Sequence, residues 1–114
     1  MSEQKKSEAL LALGMAKKAG KVICGTPLVC KALCAKAPPT LAVMSIHASD
    51  NTKKRLRDKC AFYGVHLYEL DVSTEQLARA LGSNAQTAAA AICDEGLTRL
   101  FLAKAENDIK RNEE

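Results

Sequence analysis

Aromatic side chains are scarce in this chain of 114 residues, which holds no Trp, two Tyr and two Phe. A hydrophobic core must therefore be built from aliphatic side chains and alanine. No apolar run reaches the roughly 18 residues that a membrane span needs. The first residues also lack an apolar stretch followed by a cleavage site with small residues. We therefore expect neither membrane insertion nor secretion by a standard signal.

The five cysteines are odd in number, and no pair has C-x-x-C spacing. This pattern disfavours a disulfide framework, a zinc ribbon and a thioredoxin-type site, and it indicates a reducing cytoplasm. Cys30 and Cys34 are four residues apart and could in principle hold a metal ion together with Cys24. Packing as small apolar side chains is the simpler interpretation, so we expect no metal and no other cofactor.

The sequence also lacks the short motifs of common enzyme classes, such as a Walker loop, a dinucleotide-binding G-x-G-x-x-G or a G-x-S-x-G nucleophile turn. Asp94 and Glu95 are adjacent acidic residues, but they open a predicted helix, where negative charge complements the helix dipole. A site using Cys24, His47 or Asp50 is the enzymatic alternative. We predict that the protein is not an enzyme.

Charge is distributed unevenly along the chain. Residues 1–59 hold 12 Lys and Arg against 4 Asp and Glu (+8), and residues 60–114 hold 5 against 9 (−4), which gives the formal net charge of +4. A basic half on a small domain fits a polyanion such as nucleic acid, and the plain alternative is a solvated basic surface. The run of cations at 53–59 has the same two interpretations.

Hydrophobic periodicity predicts helices that alternate with short strands. The predicted helices cover 2–19, 26–36, a segment capped by Asn51 or Thr52 and closed by Gly64, 73–82, and a last helix from Asp94 that frays from Asn107 to Glu114. The predicted strands cover 21–24, 41–46, 65–70 and 87–93; the last is rich in alanine, which favours helix by propensity, but it is short and precedes a new helix start. The alternation predicts one three-layer α/β/α domain over residues 1–114, with its core at about 7–104.

The start of the second predicted helix is the strongest candidate for a binding site. Thr26 and Pro27 predict a helix that begins with Thr26 as its N-cap. A helix N-terminus offers unpaired N–H groups to phosphate, and Gly25 lets a nucleic-acid backbone approach closely. Lys31 lies one turn further along, and Lys21 precedes the site by one short strand. A well-capped structural helix is the plain alternative.

The stretch LLALGMAKKAGKVICG, at residues 10–25, resembles the opening of small bacterial proteins of the kink-turn-binding ribosomal-protein superfamily. That superfamily includes the large-subunit ribosomal proteins seven-Ae and thirty-e and the bacterial YlxQ-type branch. Residues 28–32, 48–54 and 93–96 support the resemblance by their order and spacing, so that it spans about 7–104. It implies an α/β/α sandwich with a mixed four-stranded sheet. It also implies binding to RNA kink-turns, which are internal-loop bends with tandem sheared G·A pairs.

Members of this superfamily read the bend with the start of the second helix and with a loop before the last strand. Carried over by position, the resemblance implies these RNA-binding residues: Lys21, Gly25, Thr26, Pro27, Leu28, Lys31, Asp50, Gly82, Ser83, Asn84 and Ala85. Asp50 matches an acidic position near the extruded nucleotide.

The chain departs from the family pattern at Pro27 and Leu28, where strong kink-turn binders have Asn-Glu. Pro27 has no backbone N–H and Leu28 cannot hydrogen-bond a base, and each good base-edge contact contributes roughly 1–3 kcal/mol of discrimination. The loop at Ser83, Asn84 and Ala85 also lacks the apolar residue and the Arg of several archaeal and eukaryal members.

We therefore predict a cytoplasmic, monomeric protein that binds structured RNA in a ribosome or translation context, with weakened or altered kink-turn selectivity. The alternative is a protein-interaction module of the same fold, in which Pro27 and Leu28 form an exposed contact patch.

Overall fold

The computed structural model describes residues 7–83 and 85–112, in which five helices alternate with four strands. The helices are α1 (Glu8–Lys18), α2 (Thr26–Leu33), α3 (Asp50–Tyr63), α4 (Thr74–Ala80) and α5 (Glu95–Asn112). The strands are β1 (Val22–Cys24), β2 (Leu41–Ser45), β3 (Leu67–Leu70) and β4 (Ala89–Ile92). The predicted loop residue Asn84, the last two residues and the predicted start of the first helix at Ser2 lie outside these ranges. Within them, α1 begins at Glu8 and Ser7 is its extended N-cap, so the helix predicted over 2–19 is shorter at its start.

The four strands form one mixed sheet in the order β1-β4-β2-β3. β4 pairs antiparallel with both β1 and β2, and β2 pairs parallel with β3. The alanine-rich segment is thus the strand β4, as predicted, and all four of its residues are buried. Small side chains suit this position because helices pack against both faces of the strand.

Two layers of helices enclose the sheet, which confirms the predicted α/β/α sandwich. On one face, α1, α4 and α5 contribute Leu13, Leu77 and Phe101 to a core shared with Val43 of β2. On the other face, α2 and α3 contribute Val29, Leu33 and Leu56 to a core shared with Ala42, the preceding residue of β2. Successive strand residues point to opposite faces, so each strand supplies both cores.

Several helix boundaries differ from the predictions. The N-cap of α3 is Ser49, whose side chain accepts a hydrogen bond from the Thr52 N–H, so the predicted caps Asn51 and Thr52 are wrong. The segment SDNT offers four good capping residues in a row, and the periodicity cannot choose among them. Gly64 closes α3 in the left-handed conformation (φ 71°), and Ser73 opens α4 with a full capping box, as predicted.

The last helix also extends further than predicted. The polar composition after Asn107 predicted fraying, but α5 continues to Asn112. Its carboxylate at Asp108 accepts hydrogen bonds from Ser7, Glu8 and Ala9 at the start of α1. This contact holds the final turns of the helix against the fold. Among the described residues, no helix combines the length and the apolar composition that crossing a bilayer requires.

Candidate nucleic-acid interface

Most of the predicted RNA-binding residues lie at one end of the sheet. The register pairs Cys24 with Ala90, Met44 with Ala89, and Ser45 with Leu70. β1, β2 and β3 therefore end where β4 begins, and we call this the loop end of the sheet. α2, α3 and α4 all begin there, and the loop 82–88 enters β4 there. Because β4 lies between β1 and β2, this loop reaches the sheet between the starts of α2 and α3.

The start of α2 is organised by Gly25. This residue is the N-cap, with φ 93° and ψ 140°, and its N–H donates to the carbonyl of Ala89 over 2.9 Å. Its carbonyl accepts the first helical hydrogen bond, from Val29. Thr26 is therefore the first helical residue and not the N-cap, and no side chain caps this helix. The prediction failed because the positive φ of Gly25 cannot be seen in the order of residue types.

The first turn of α2 faces outward. A Cβ placed on Gly25 would meet nothing within 4 Å, so the space in front of the residue is open. The N–H groups of Thr26 and Leu28 precede the first helical bond and belong to the positive end of the helix dipole. Pro27 and Leu28 are exposed, Leu28 with 56% of its surface accessible. The exposed Lys31 follows one turn later, so backbone donors and a cation share this surface.

Lys21 does not belong to this group. It precedes β1, and its carbonyl accepts a hydrogen bond from the N–H of Cys93 over 2.8 Å at the other end of the sheet. The three residues of β1 separate Lys21 from Gly25, so the two lie roughly 13 Å apart along the strand. Lys21 and Gly25 are close in sequence because β1 is short, but they lie at opposite ends of the sheet because the strand stands between them.

The loop 82–88 lies beside the start of α2. Gly82 leaves α4 with φ 69°. Ser83 and Ala85 then form a tight turn, in which the Ser83 hydroxyl lies 3.0 Å from the Ala85 carbonyl and 3.2 Å from its N–H. The N–H of Thr87 donates to the Thr74 carbonyl at the start of α4 over 3.4 Å. Gly82 and Ala85 are exposed, and Asn84 is outside the described residues.

Asp50 lies at the same end of the sheet, on the far side of this loop. It is the first residue of α3, is fully exposed, and lies 3.8 Å from the ammonium group of Lys53. The starts of α2 and α3 follow β1 and β2, which are two strand spacings apart, about 10 Å. The carboxylate of Asp50 and the backbone N–H donors of α2 therefore lie on opposite sides of the loop 82–88.

Ser45 organises the loop end in a way that the sequence reasoning missed. It is fully buried, donates to the Val72 carbonyl over 2.6 Å and accepts from the His47 N–H over 3.0 Å. One hydroxyl thereby joins the loops that follow β2 and β3. His47 also lies 3.4 Å from Asp71, and both side chains are exposed. The sequence feature that could have indicated this role is a serine in a strand whose other residues are all apolar.

Among the described residues, no hydrogen bond or ion pair joins Cys24, His47 and Asp50, the residues of the enzymatic alternative, to one another. Cys24 packs on the side of the sheet covered by α1, and burial raises the pKa of its thiol, which favours the weakly nucleophilic protonated form. Cys24, His47 and Asp50 line neither the surface cavity between α1 and α4, of about 610 Å³, nor the one between α3 and α5, of about 410 Å³. Within the described ranges, no three His, Cys, Asp or Glu side chains are grouped to hold a metal ion.

Comparison with known proteins gives related sequences in two bacteria. The RNA-binding protein YlxQ of Bacillus subtilis is 33% identical over 91 residues, which cover 80% of this chain and 88% of that protein. The RNA-binding protein YlxQ of Enterococcus faecium is 33% identical over 70 residues, which cover 61% and 67%.

Solved structures share the fold. A protein of unknown function from Bacillus halodurans C superposes with a TM-score of 0.78 at 29% identity, over 89% of this chain and 99% of that one. A 15.5kD RNA binding protein of Giardia lamblia superposes with a TM-score of 0.69 at 18% identity, over 88% and 83%. Residues 7–101 match the family described as ribosomal protein L7Ae/L30e/S12e/Gadd45. This match takes in every strand and most of the helical residues, and the chain belongs to that family.

Proposed function

We propose that the protein binds structured RNA at the loop end of its sheet, through the start of α2, Lys31 and the loop 82–88. The observation that carries the proposal is the 2.9 Å hydrogen bond from the Gly25 N–H to the Ala89 carbonyl, which joins the start of α2 to the strand that the loop enters. Family membership and the two relatives named as RNA-binding proteins support it.

Each part of this surface has a separate task in the proposal. The N–H groups of Thr26 and Leu28 receive a phosphate at the helix N-terminus, and Lys31 adds a cationic contact to a neighbouring phosphate. Gly25 leaves room for the sugar–phosphate backbone. The loop 82–88 covers the bend, and Asp50 accepts a hydrogen bond from a base or ribose on the other side.

The preferred RNA in this proposal is a kink-turn or a similarly bent internal loop. Pro27 and Leu28 offer apolar contact in place of hydrogen bonds to base edges, so shape and backbone position, more than base identity, decide the selectivity. We further propose that the protein acts as a monomer without a cofactor or catalytic activity, in the bacterial cytoplasm, during ribosome assembly or translation.

Titration against two RNAs tests this function. A kink-turn RNA and a straight duplex of the same length and charge are titrated with the protein at two salt concentrations. We expect tighter binding to the bent RNA, and weaker binding of both at the higher salt because contacts to phosphate release counterions. Equal and very weak binding to both RNAs at low salt would contradict the proposal.

A double substitution at the first turn of α2 sharpens the test. Pro27→Asn with Leu28→Glu introduces the pair that strong kink-turn binders of the family carry. We expect the preference for the bent RNA over the duplex to rise by roughly tenfold or more, since each base-edge contact contributes about 1–3 kcal/mol. Pro27→Ala with Leu28→Ala is the matched control, because it removes the same apolar side chains without adding hydrogen-bonding groups.

The exposed Leu28 also favours a second candidate function, that of a protein-interaction module. A leucine with 56% of its surface accessible, next to Pro27, is a small apolar patch at a helix start. If the patch binds a protein, Leu28→Ser weakens that complex in RNase-treated extract and leaves the RNA titration unchanged. Loss of RNA affinity in this variant would instead assign Leu28 to the RNA surface.

A further inference from the structure

The cations at 53–59 divide into two groups in the structure. Three of them are held by contacts within the protein: Lys53 by the Ile46 carbonyl (3.2 Å), Lys54 by Asp58 (2.9 Å) and Arg57 by Glu69 (2.7 Å). Lys53 is also largely covered, with 24% of its side chain accessible. These three cations therefore have partners within the protein. Arg55 and Lys59 are left without an acidic partner among the contacts described.

Arg55, Lys59 and Phe62 lie on one flank of α3. Their spacing of i, i+4 and i+7 puts them on the same side of the helix. The Lys59 ammonium lies 3.8 Å from the Cys34 thiol, so this flank faces the C-terminal end of α2. We call these three residues the α3 flank. It starts close to the loop end and runs away from it, with Arg55 about 8 Å and Phe62 about 18 Å along the helix from its first residue.

The helical layer that carries this flank is strongly basic. Residues 26–36 and 50–63 together hold seven Lys and Arg against two Asp. Of the two Asp, Asp50 lies at the loop end and Asp58 is paired with Lys54. One of the seven cations is Lys31, which is exposed on α2. A polyanion bound at the loop end would therefore meet positive charge if it continued along this layer.

Phe62 is the most exposed large apolar side chain described, with 80% of its surface accessible. The core of α3 is formed by Leu56 and Cys60, and Phe62 has no part in it. Its ring contacts Tyr63 edge to face, with 4.8 Å between the centroids. The chain has only four aromatic residues, and one of them, Phe62, is exposed to water and not buried in a core. Cations beside an exposed aromatic ring are the composition of surfaces that bind single-stranded nucleic acid.

We propose that the α3 flank binds a single-stranded RNA segment that continues from the structured element held at the loop end. Arg55 and Lys59 contact successive phosphates, and the ring of Phe62 stacks on a base. The inference rests on the proposed function, because the structured element at the loop end is what brings the single strand to α3.

The test compares a blunt kink-turn RNA with the same RNA carrying a single-stranded uridine extension, attached at one end or the other. We expect the wild-type protein to bind one extended RNA more tightly than the blunt one, with a steeper salt dependence. Phe62→Ala should lose about tenfold of the affinity for the extended RNA and leave the blunt RNA unaffected. Phe62→Trp should retain the affinity because it keeps a stacking ring.

Neutralising the cations gives a second readout. Arg55→Gln with Lys59→Gln should reduce the slope of log K against log salt by about 1.4 for the extended RNA, which corresponds to two phosphate contacts of a single strand. Arg99→Gln with Lys110→Gln is the matched control, since it removes the same charge from α5 in the other layer. Lys59 is half-buried and the other substituted side chains are exposed, so unfolding curves verify that each variant retains the fold.

The outcomes separate this inference from the proposed function. If the wild-type protein binds the blunt RNA and both extended RNAs with the same affinity and slope, the inference is wrong and the proposed function stands. If it binds none of them, both fail. If Phe62→Ala leaves the affinity for the extended RNA unchanged, the proposed stacking contact is wrong.

Discussion

Asp108 in α5 caps the start of α1, although about 100 residues separate the two. Its carboxylate accepts hydrogen bonds from the Ser7 hydroxyl (2.9 Å) and from the N–H groups of Glu8 (2.9 Å) and Ala9 (3.0 Å). Ser7 in turn accepts from the Leu10 N–H, as the N-cap residue. A negative charge at this place also complements the positive end of the α1 dipole. The first and last helices are therefore joined by partly buried hydrogen bonds as well as by apolar packing.

Removal of this carboxylate should destabilise the protein. We expect Asp108→Ala to lower the free energy of unfolding by about 1–3 kcal/mol, because it leaves two backbone donors and a hydroxyl without their charged acceptor. Denaturant unfolding measures the change. Glu106→Ala is the control, since it removes an exposed carboxylate from the same helix and should cost less than about 0.5 kcal/mol. Equal losses in the two variants would contradict the capping role.

Gly25→Ala tests the conformation at the start of α2. The φ of 93° is strained for a residue with a side chain, so we expect a loss of about 1–3 kcal/mol in the free energy of unfolding. Gly96→Ala is the control within α5, where a Cβ would make ordinary contact with the Asp94 carboxylate at 3.4 Å. That change should be neutral or slightly stabilising, because alanine favours helix more than glycine does. Similar losses at both positions would show that φ does not govern the cost.

Lys31→Gln tests the cation of the proposed RNA surface. We expect weaker binding of the kink-turn RNA and a salt slope reduced by about one, which corresponds to one phosphate contact. The fold should be unaffected, because Lys31 is exposed on α2. Lys110→Gln is the control, with the same change of charge on the exposed surface of α5. An unchanged slope for Lys31→Gln, or an equal change in both variants, would remove Lys31 from the interface.

Ionisation of the Cys60 thiol should lower the stability of the protein in alkaline solution. Burial, with a smaller contribution from Cys30, raises the pKa of the Cys60 thiol from 9.0 to about 11. The thiol ionises more readily in the unfolded chain, so its contribution is constant below about pH 9 and is lost as the pH rises towards 11. We expect a decrease of about 2 kcal/mol across that window from this group.

The measurement for Cys60 is the difference between two pH profiles of unfolding free energy. Cys60→Ala lowers the stability below about pH 9 because it leaves a small cavity, but it removes the part of the alkaline decline that the thiol causes. The profiles of the wild type and the variant should therefore converge between pH 9 and pH 11. Parallel profiles over this range would contradict the assignment.

Local sequence patterns predicted the layers and strands well, because each depends on short-range periodicity. The strand at Ala89–Ile92 was recognisable against its helix propensity, since it is short and is followed at once by a new helix start. The helix caps were less predictable. Thr26 was chosen where Gly25 acts, and Asn51 or Thr52 where Ser49 acts, because several capping residues stand side by side and backbone conformation decides among them.

The candidate site required information that no local pattern holds. Gly25 and the loop 82–88 meet because β1 and β4 are antiparallel neighbours, which the strand order alone establishes. The same geometry separates Lys21 from Gly25, although only three residues lie between them. The cap on α1 by Asp108 joins positions at opposite ends of the chain, and a polar helix end gave no sign of it.

The narrow strand β4 has a consequence for how this surface works. Its alanine side chains are small, so the two helical layers pack close to the centre of the sheet. The N–H groups of Gly25 and Ser45 donate hydrogen bonds to the carbonyls of Ala89 and Ala88, which hold the loop end against β4. Such a surface has little freedom to adjust its shape to a ligand. Under the proposed function, the conformational change on binding would therefore fall on the RNA, and binding would enrich the bent form in a mixture of bent and extended RNA conformers.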